Sequence, residues 1–132
     1  KCRRACGDRS VSDFERAAPW LEAALNAEDE RPLWTLDDVK RDLEARRSHL
    51  WMGDASAMVT TISDWANGER IIEAWLAGGE MQEILAMTPV LEDWGRRVGC
   101  TQAHVQGRRG WIRALAPFGY EHYSTTLRKL LV

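Results

Sequence analysis

The sequence lacks several things, and each absence narrows what the protein can be. No stretch free of Asp, Glu, Lys and Arg is longer than the ten residues Val98–Gly107, about half of what a membrane-spanning helix needs. A transmembrane segment is therefore not expected. Charge of one sign is missing too: 18 Lys and Arg against 20 Asp and Glu leave a formal net charge of −2. Bulk attraction to nucleic acid or anionic lipid is thus absent, and any such binding has to come from a local patch. Only three cysteines occur, Cys2, Cys6 and Cys100. An odd number cannot all pair, which argues against a disulfide scaffold and for a reducing, cytoplasmic compartment. Cys2-x-x-x-Cys6 has the spacing of half a zinc site, but no second pair follows, and His49, His104 and His122 are scattered. No metal is expected. No repeat, low-complexity segment or linker divides the chain, and no basic-then-apolar leader opens it. What remains is 132 residues, 45% hydrophobic and 29% charged, the size and balance of one globular domain with a single core. One feature is unusual: seven Trp outnumber the two Phe and two Tyr together.

The first ten residues, with four basic side chains and one acid, read either as a short first strand or as a loose basic arm. Ser12 and Glu15 then form a capping-box pattern with Val11 as its hydrophobic staple. Phe14, Ala17, Ala18, Leu21 and Leu25 follow at helical spacing, predicting a helix from Asp13 to about Asn26. After the acidic connection Glu28–Glu30, Thr35 opens a second helix. Asp37 and Asp38 stand in its first turn and Arg46 and Arg47 in its last, an order that suits the helix dipole; Leu36, Val39 and Leu43 form its apolar stripe. The period then changes. Leu50–Met52, Ala57–Ser63 and Arg70–Ala77 read as a three-strand meander, with turns at Gly53-Asp54 and Asn67-Gly68 and a break at Gly78-Gly79. Met81, Ile84, Leu85, Leu91, Trp94 and Val98 predict the longest helix, stopped by Gly99 and either kinked or divided at Pro89. Thr101–Gln106 is a strand and Trp111 to about Ala116 a short helix. His122–Leu131 reads as one final strand or a pair.

This order resembles that of the GNAT (acetyl-CoA-dependent N-acyltransferase) family. The residue matches lie between Leu91 and Tyr120. Leu91–Cys100 resembles the end of the family's central helix, which stops at a Gly before the next strand. Gly110–Tyr120 resembles its short helix followed by a Gly-aromatic turn, here Gly119-Tyr120. In element order the resemblance runs from Ser12 to the C-terminus. It implies an α/β fold in which a twisted, mostly antiparallel sheet opens into a V, with helices on both faces. The chain is also similar to acyltransferase-like proteins of phages and prophages, internal virion proteins of podoviruses among them. That likeness implies virion components as partners and a bacterial host's cytoplasm, or the virion, as the setting.

Two departures from the family stand out. A working GNAT enzyme holds the cofactor diphosphate on an Arg/Gln-x-x-Gly-x-Gly/Ala loop, whose N–H groups and helix end face the phosphates. Here the stretch is Ala77-Gly78-Gly79-Glu80-Met81-Gln82, shorter, without a basic residue, and with Glu80 where phosphates would sit. The family's general-acid Tyr is replaced by Leu115. Glu73, in the third meander strand, is the candidate general base, or else a solvent-facing residue alternating with Ile72 and Ala74. Tyr120, Tyr123 and His122 either replace the missing acid or pack and cap. From Arg96 to Arg113 there are five Arg and no acid. Within that stretch Arg108 and Arg109, flanked by Gly107 and Gly110, suit a phosphate, a carboxylate or an acidic partner, or form a solvated turn. Trp51, Trp65, Trp75, Trp94 and Trp111 are core candidates, and Trp20 and Trp34 are interface anchors or sheet cover. Two functions follow. The first is a GNAT-like protein-binding or assembly module, virion-associated and without a cofactor. The alternative is an N-acyltransferase that grips acetyl-CoA through Gly78, Gly79, Arg108 and Arg109.

Overall fold

A computed structural model describes residues 3–5, 11–27 and 33–131, with the backbone alone for residues 3–5, 11 and 12. The Cys2–Cys6 pair, the Glu28–Glu30 connection and the Ser12 cap fall outside the described atoms. The chain begins with β1 (Arg3–Ala5), the strand of the two alternatives open for this segment, paired antiparallel to β2 (Ser48–Met52). Helix α1 (Val11–Asn26) buries Ala17 and Leu21 and tolerates Pro19 on its exposed side. Helix α2 (Leu36–Glu44) opens on a reciprocal cap: the Asp38 N–H donates to Thr35 Oγ1 at 3.2 Å, and the Thr35 N–H donates to the Asp38 carboxylate at 2.9 Å. It stops earlier than its charge pattern suggests. Arg46 already has φ +61°, and Arg47 turns back so that its Nε donates to buried Asp42 at 2.8 Å.

The meander is completed by β3 (Ser56–Asp64) and β4 (Arg70–Gly79), both antiparallel to their predecessors. Gly78 and Gly79 do not break β4; they pair with Ala57 and Ser56. Helix α3 (Met81–Arg97) crosses over to β5 (Gln102–Val105), which joins β4 in parallel. It runs unbroken through Pro89, which sits on its exposed side. Gly99 at φ +93° ends it, with the Gly99 N–H donating to the Arg96 carbonyl and the Cys100 N–H to that of Gly95. This double bond pattern satisfies carbonyls the last turn would otherwise leave open. Short helix α4 (Gly110–Leu115) and a 3-10 turn at Ala116–Phe118 follow.

The sheet order is β1-β2-β3-β4-β5, an α/β architecture with helices on both faces. On one face α1 and α2 pack Leu21, Val39 and Leu43 against Leu50, Val59 and Leu76. On the other, α3 packs Ile84, Met87 and Leu91 against Trp51, Met58 and Ile72. Trp65 is not in either core; it is 59% exposed in the β3–β4 turn, with its Nε1 donating to Ser63. The expected strand between His122 and Leu131 is also absent. A strand needs a partner, and among the described residues β5 pairs with β4 alone.

Candidate functional site

The one irregularity of the sheet builds the site. Between the pairs Val59↔Leu76 and Thr60↔Ala74 the β3–β4 register shifts, so that Trp75 is the extra residue of a β-bulge. A bulge bends its strand and re-aims the following side chains. The β4–β5 ladder accordingly ends at Ala74↔Val105, closed by the Gln106 N–H donating to the Ala74 carbonyl at 2.9 Å. Beyond that point β4 continues to Gly79 alongside β3 while the chain after β5 turns away, leaving a V-shaped notch. Trp75, Ala77, Ile84, Gln106, Arg108 and Trp111 are among its walls. Trp34 leans on Trp75 with ring centroids 4.7 Å apart. Trp111 lies over Gly107, where a Cβ would come within 2.8 Å of the indole. The notch they line keeps a cavity of about 80 Å³. The buried Nε1 of Trp75 has no hydrogen-bond partner among the described residues.

At the far end of the notch, β4 passes into α3 through Glu80 alone. The Glu80 carboxylate caps the helix, accepting from the Gln82 N–H at 2.8 Å, while the Glu80 N–H donates to the Ala55 carbonyl at 2.9 Å. Glu83 accepts from the Ala55 N–H at 2.8 Å and from Ser56 Oγ at 2.6 Å. The Glu83 carboxylate and the Glu80 N–H thus tie this helix end to the β2–β3 turn. The glycines before it have their own packing roles. A Cβ on Gly78 would strike the carbonyl oxygen of Trp20 in α1, and one on Gly79, whose φ is +106°, that of Ala55.

The fold expectation brings acetyl-CoA with it, and these residues do not fit that group. A diphosphate at the start of α3 would meet Glu80 and Glu83 in place of a run of open N–H groups, and like charges there are unfavourable.

The sequence candidates are only partly assembled. Arg108 reaches the notch; Arg109 is exposed just before α4. Gly78 and Gly79 stand behind α1 and the β2–β3 turn. Glu73 is half-buried, makes no hydrogen bond or ion pair among the described residues, and faces the α1–α2 side, since its neighbours Ile72 and Ala74 pack with α3. Tyr120 is anchored elsewhere: its hydroxyl donates to Glu92 of α3 at 2.7 Å. Burial, and then that bond, push its pKa well above the ordinary phenol value. Tyr123 is 79% exposed, its ring 5.2 Å from that of His104, and His122 pairs with Thr125 at 3.1 Å. Glu73 and Tyr120 therefore belong to opposite faces of the sheet. Sequence reasoning did not identify the bulge or the Glu83 tie. The adjacent large residues Trp75-Leu76, which interrupt strand alternation, were the signal for the first; nothing local signals the second. Among the described residues, no group of three or more His, Cys, Asp or Glu is placed to hold a metal ion, and no helix is long and apolar enough to cross a membrane.

No family model matches the sequence, and no curated protein matches it as a relative. Solved structures do match the fold. An aminoglycoside acetyltransferase from an uncultured soil metagenomic sample, solved with sisomicin, superposes with a TM-score of 0.70 at 9% identity, covering 100% of this chain and 96% of the other. A ribosomal-protein-alanine N-acetyltransferase from Brucella melitensis biovar Abortus 2308 gives 0.70 at 14% identity, with 98% and 99% covered. A GCN5-related N-acetyltransferase from Ralstonia eutropha JMP134 gives 0.69 at 16%, with 98% and 97% covered. At these identities the likeness concerns architecture: the fold is that of the GNAT acetyltransferases.

Proposed function

We propose that this chain is a GNAT-fold protein whose cofactor slot is closed, and that it serves as a protein-binding module. The observation that carries this reading is the junction between β4 and α3, a single residue whose own carboxylate caps the helix. The anion-binding loop is missing as a length of chain, and the notch that would seat the acyl arm is walled by Trp75 and Trp111. The partner class suggested by charge is an acidic protein surface. Arg96, Arg97, Arg108, Arg109 and Arg113 occupy a stretch without acids, and Arg108 and Arg109 are both exposed at its centre. Exposed guanidinium groups recognise carboxylates by paired hydrogen bonds. A virion is the setting that the likeness to phage proteins suggests.

The second reading, an N-acyltransferase acting through acetyl-CoA, is favoured by the bulge and the splayed strands, and by the acetyltransferases that share the fold. It requires Gly78 and Gly79 to present N–H groups, Arg108 and Arg109 to supply charge, and Glu73 to take the amine proton. Calorimetric titration with acetyl-CoA and CoA, beside a thermal melt with each, separates the two readings. A ligand selective for the native state raises its stability by about 2.7 kcal/mol at a hundredfold excess over Kd. We expect neither heat nor a shift in Tm at millimolar ligand; micromolar binding with a raised Tm would overturn the module reading.

A further inference from the structure

Outside the notch, a groove of about 530 Å³ opens between the C-terminal half of α3, β5 and the segment Phe118–Tyr123. It shares no wall residue with the notch. Its volume falls within the range of about 300–1,000 Å³ typical of small-molecule sites. The floor is apolar, with Ile72 buried and Ala103 half-buried. Two aromatic side chains line it while largely open to solvent, Phe118 at 42% and Tyr123 at 79% exposure. Most polar groups on its walls are already spent. The Tyr120 hydroxyl donates to Glu92 at 2.7 Å, Gln102 Nε2 donates to Glu69 at 2.8 Å, and Gln102 Oε1 pairs with His104 Nε2 at 2.9 Å. Two charged groups are not spent. Among the described residues the Arg96 guanidinium makes no hydrogen bond, its ion pair with Glu92 being 3.9 Å long, and Glu121 makes neither a hydrogen bond nor an ion pair.

We propose that this groove binds a free aromatic α-amino acid: Arg96 takes the carboxylate, Glu121 takes the ammonium group, and the ring lies on the apolar floor against Phe118 and Tyr123. Charge selects this class. Glu92 is engaged by Tyr120, which leaves one open cation and one open anion on the same groove. A simple anion would be drawn to Arg96 and repelled by Glu121, and a simple cation the reverse; a zwitterion gives each its opposite. A guanidinium is suited to a carboxylate because its planar N–H donors meet both oxygens. The remaining walls select for a ring. With the Tyr120 hydroxyl and the Gln102 amide occupied, they offer apolar floor and aromatic faces, against which a further ring packs offset or edge-on. The site goes beyond the binding-module reading and does not depend on it, because it lies outside the notch.

The test titrates the full chain with L-phenylalanine, read by calorimetry and by amide and indole shifts in heteronuclear NMR. The expected result is saturable binding with Kd at or below about 1 mM, with shifts at Ala103, His104, Gly119 and Tyr123 and none at Trp75 or Trp111. Two analogues each lack one charge: 3-phenylpropionate has no ammonium group and phenethylamine no carboxylate. Each is expected to bind about tenfold more weakly, the worth of one charged hydrogen bond. Arg96→Gln is expected to weaken phenylalanine about tenfold and phenethylamine not at all. Glu121→Gln is expected to weaken phenylalanine and not 3-phenylpropionate. Both side chains are exposed, so the Tm of either variant should match wild type. Absence of saturable shifts up to about 10 mM ligand overturns the proposal. So do equal affinities for the three ligands, which would mean apolar adsorption, and a response confined to the notch. A variant at either position that binds phenylalanine as wild type does overturns it as well. The acetyl-CoA titration reads the notch independently of any of these outcomes.

Discussion

At the scale of single residues, the structure explains choices that composition leaves neutral. Gly79 takes φ +106° and brings its backbone against Ala55 and Ser56, so Gly79→Ala faces both a left-handed backbone and a clash with main-chain atoms. Left-handed geometry costs an L-residue about 1–2 kcal/mol, and overpacking adds about 1–3 kcal/mol. Urea denaturation is expected to show a loss of about 3 kcal/mol for Gly79→Ala and almost none for the same change at Gly110, where a Cβ meets nothing within 4 Å. Tyr120 gives a pH signature. Its folded-state pKa lies above the unfolded value, through burial first and the bond to Glu92 second. The stability it contributes is fully present below pH about 10, the unfolded value, and is lost as pH rises towards the folded value. Tyr120→Phe is therefore expected to cost about 1–2 kcal/mol at pH 7. Its denaturation midpoint should also fall less steeply than wild type between pH 9 and pH 11, a range chosen to straddle that ordinary value. Equal slopes would mean that the hydroxyl is not protected in the fold.

At the scale of elements, the parts legible in the sequence are those fixed by neighbours along the chain. Thr35 and Asp38 cap α2, Gly99 stops α3, and Asn67-Gly68 turns β3 into β4, each within a few residues of its own cause. The parts that were not legible are set across space. β4 runs through Gly78 and Gly79 because α1 and the β2–β3 turn approach too closely for side chains there, and neither neighbour is nearby in sequence. The final strand did not form: among the described residues His122–Leu131 pairs with no strand, although β5 pairs with β4 alone. Of the site, the Arg108-Arg109 turn was legible from its composition, whereas the notch needed the bulge at Trp75. Glu83 is a case of the same distance dependence, since its carboxylate holds a turn 27 residues away in sequence at Ser56 and 28 at Ala55. Removing one ionised acceptor from two donors costs about 2 kcal/mol. Glu83→Ala is expected to lower the urea midpoint accordingly and to speed exchange of the Ala55 amide. A variant as stable as wild type would show that the tie is dispensable.

At the scale of the molecule, architecture and chemistry separate. The sheet and its parallel β4–β5 pair match the fold of the GNAT acetyltransferases, while Glu80 alone separates β4 from α3. On the binding-module reading proposed above, two features would keep a diphosphate away: the Glu80 and Glu83 carboxylates at the helix end, and the course of the backbone. They predict different behaviour. If the Glu80 charge alone kept phosphates away, Glu80→Gln would leave a positive helix end facing the notch and restore a response of Tm to CoA. If the backbone is decisive, the charge is incidental, because Gly78 and Gly79 are already committed to Trp20 and Ala55 and Trp111 still covers Gly107. The second account follows from the geometry, so Glu80→Gln is expected to bind neither CoA nor acetyl-CoA, and its Tm with millimolar ligand should match its Tm without. A rise of several degrees would locate the barrier to CoA in one side chain and overturn the backbone account.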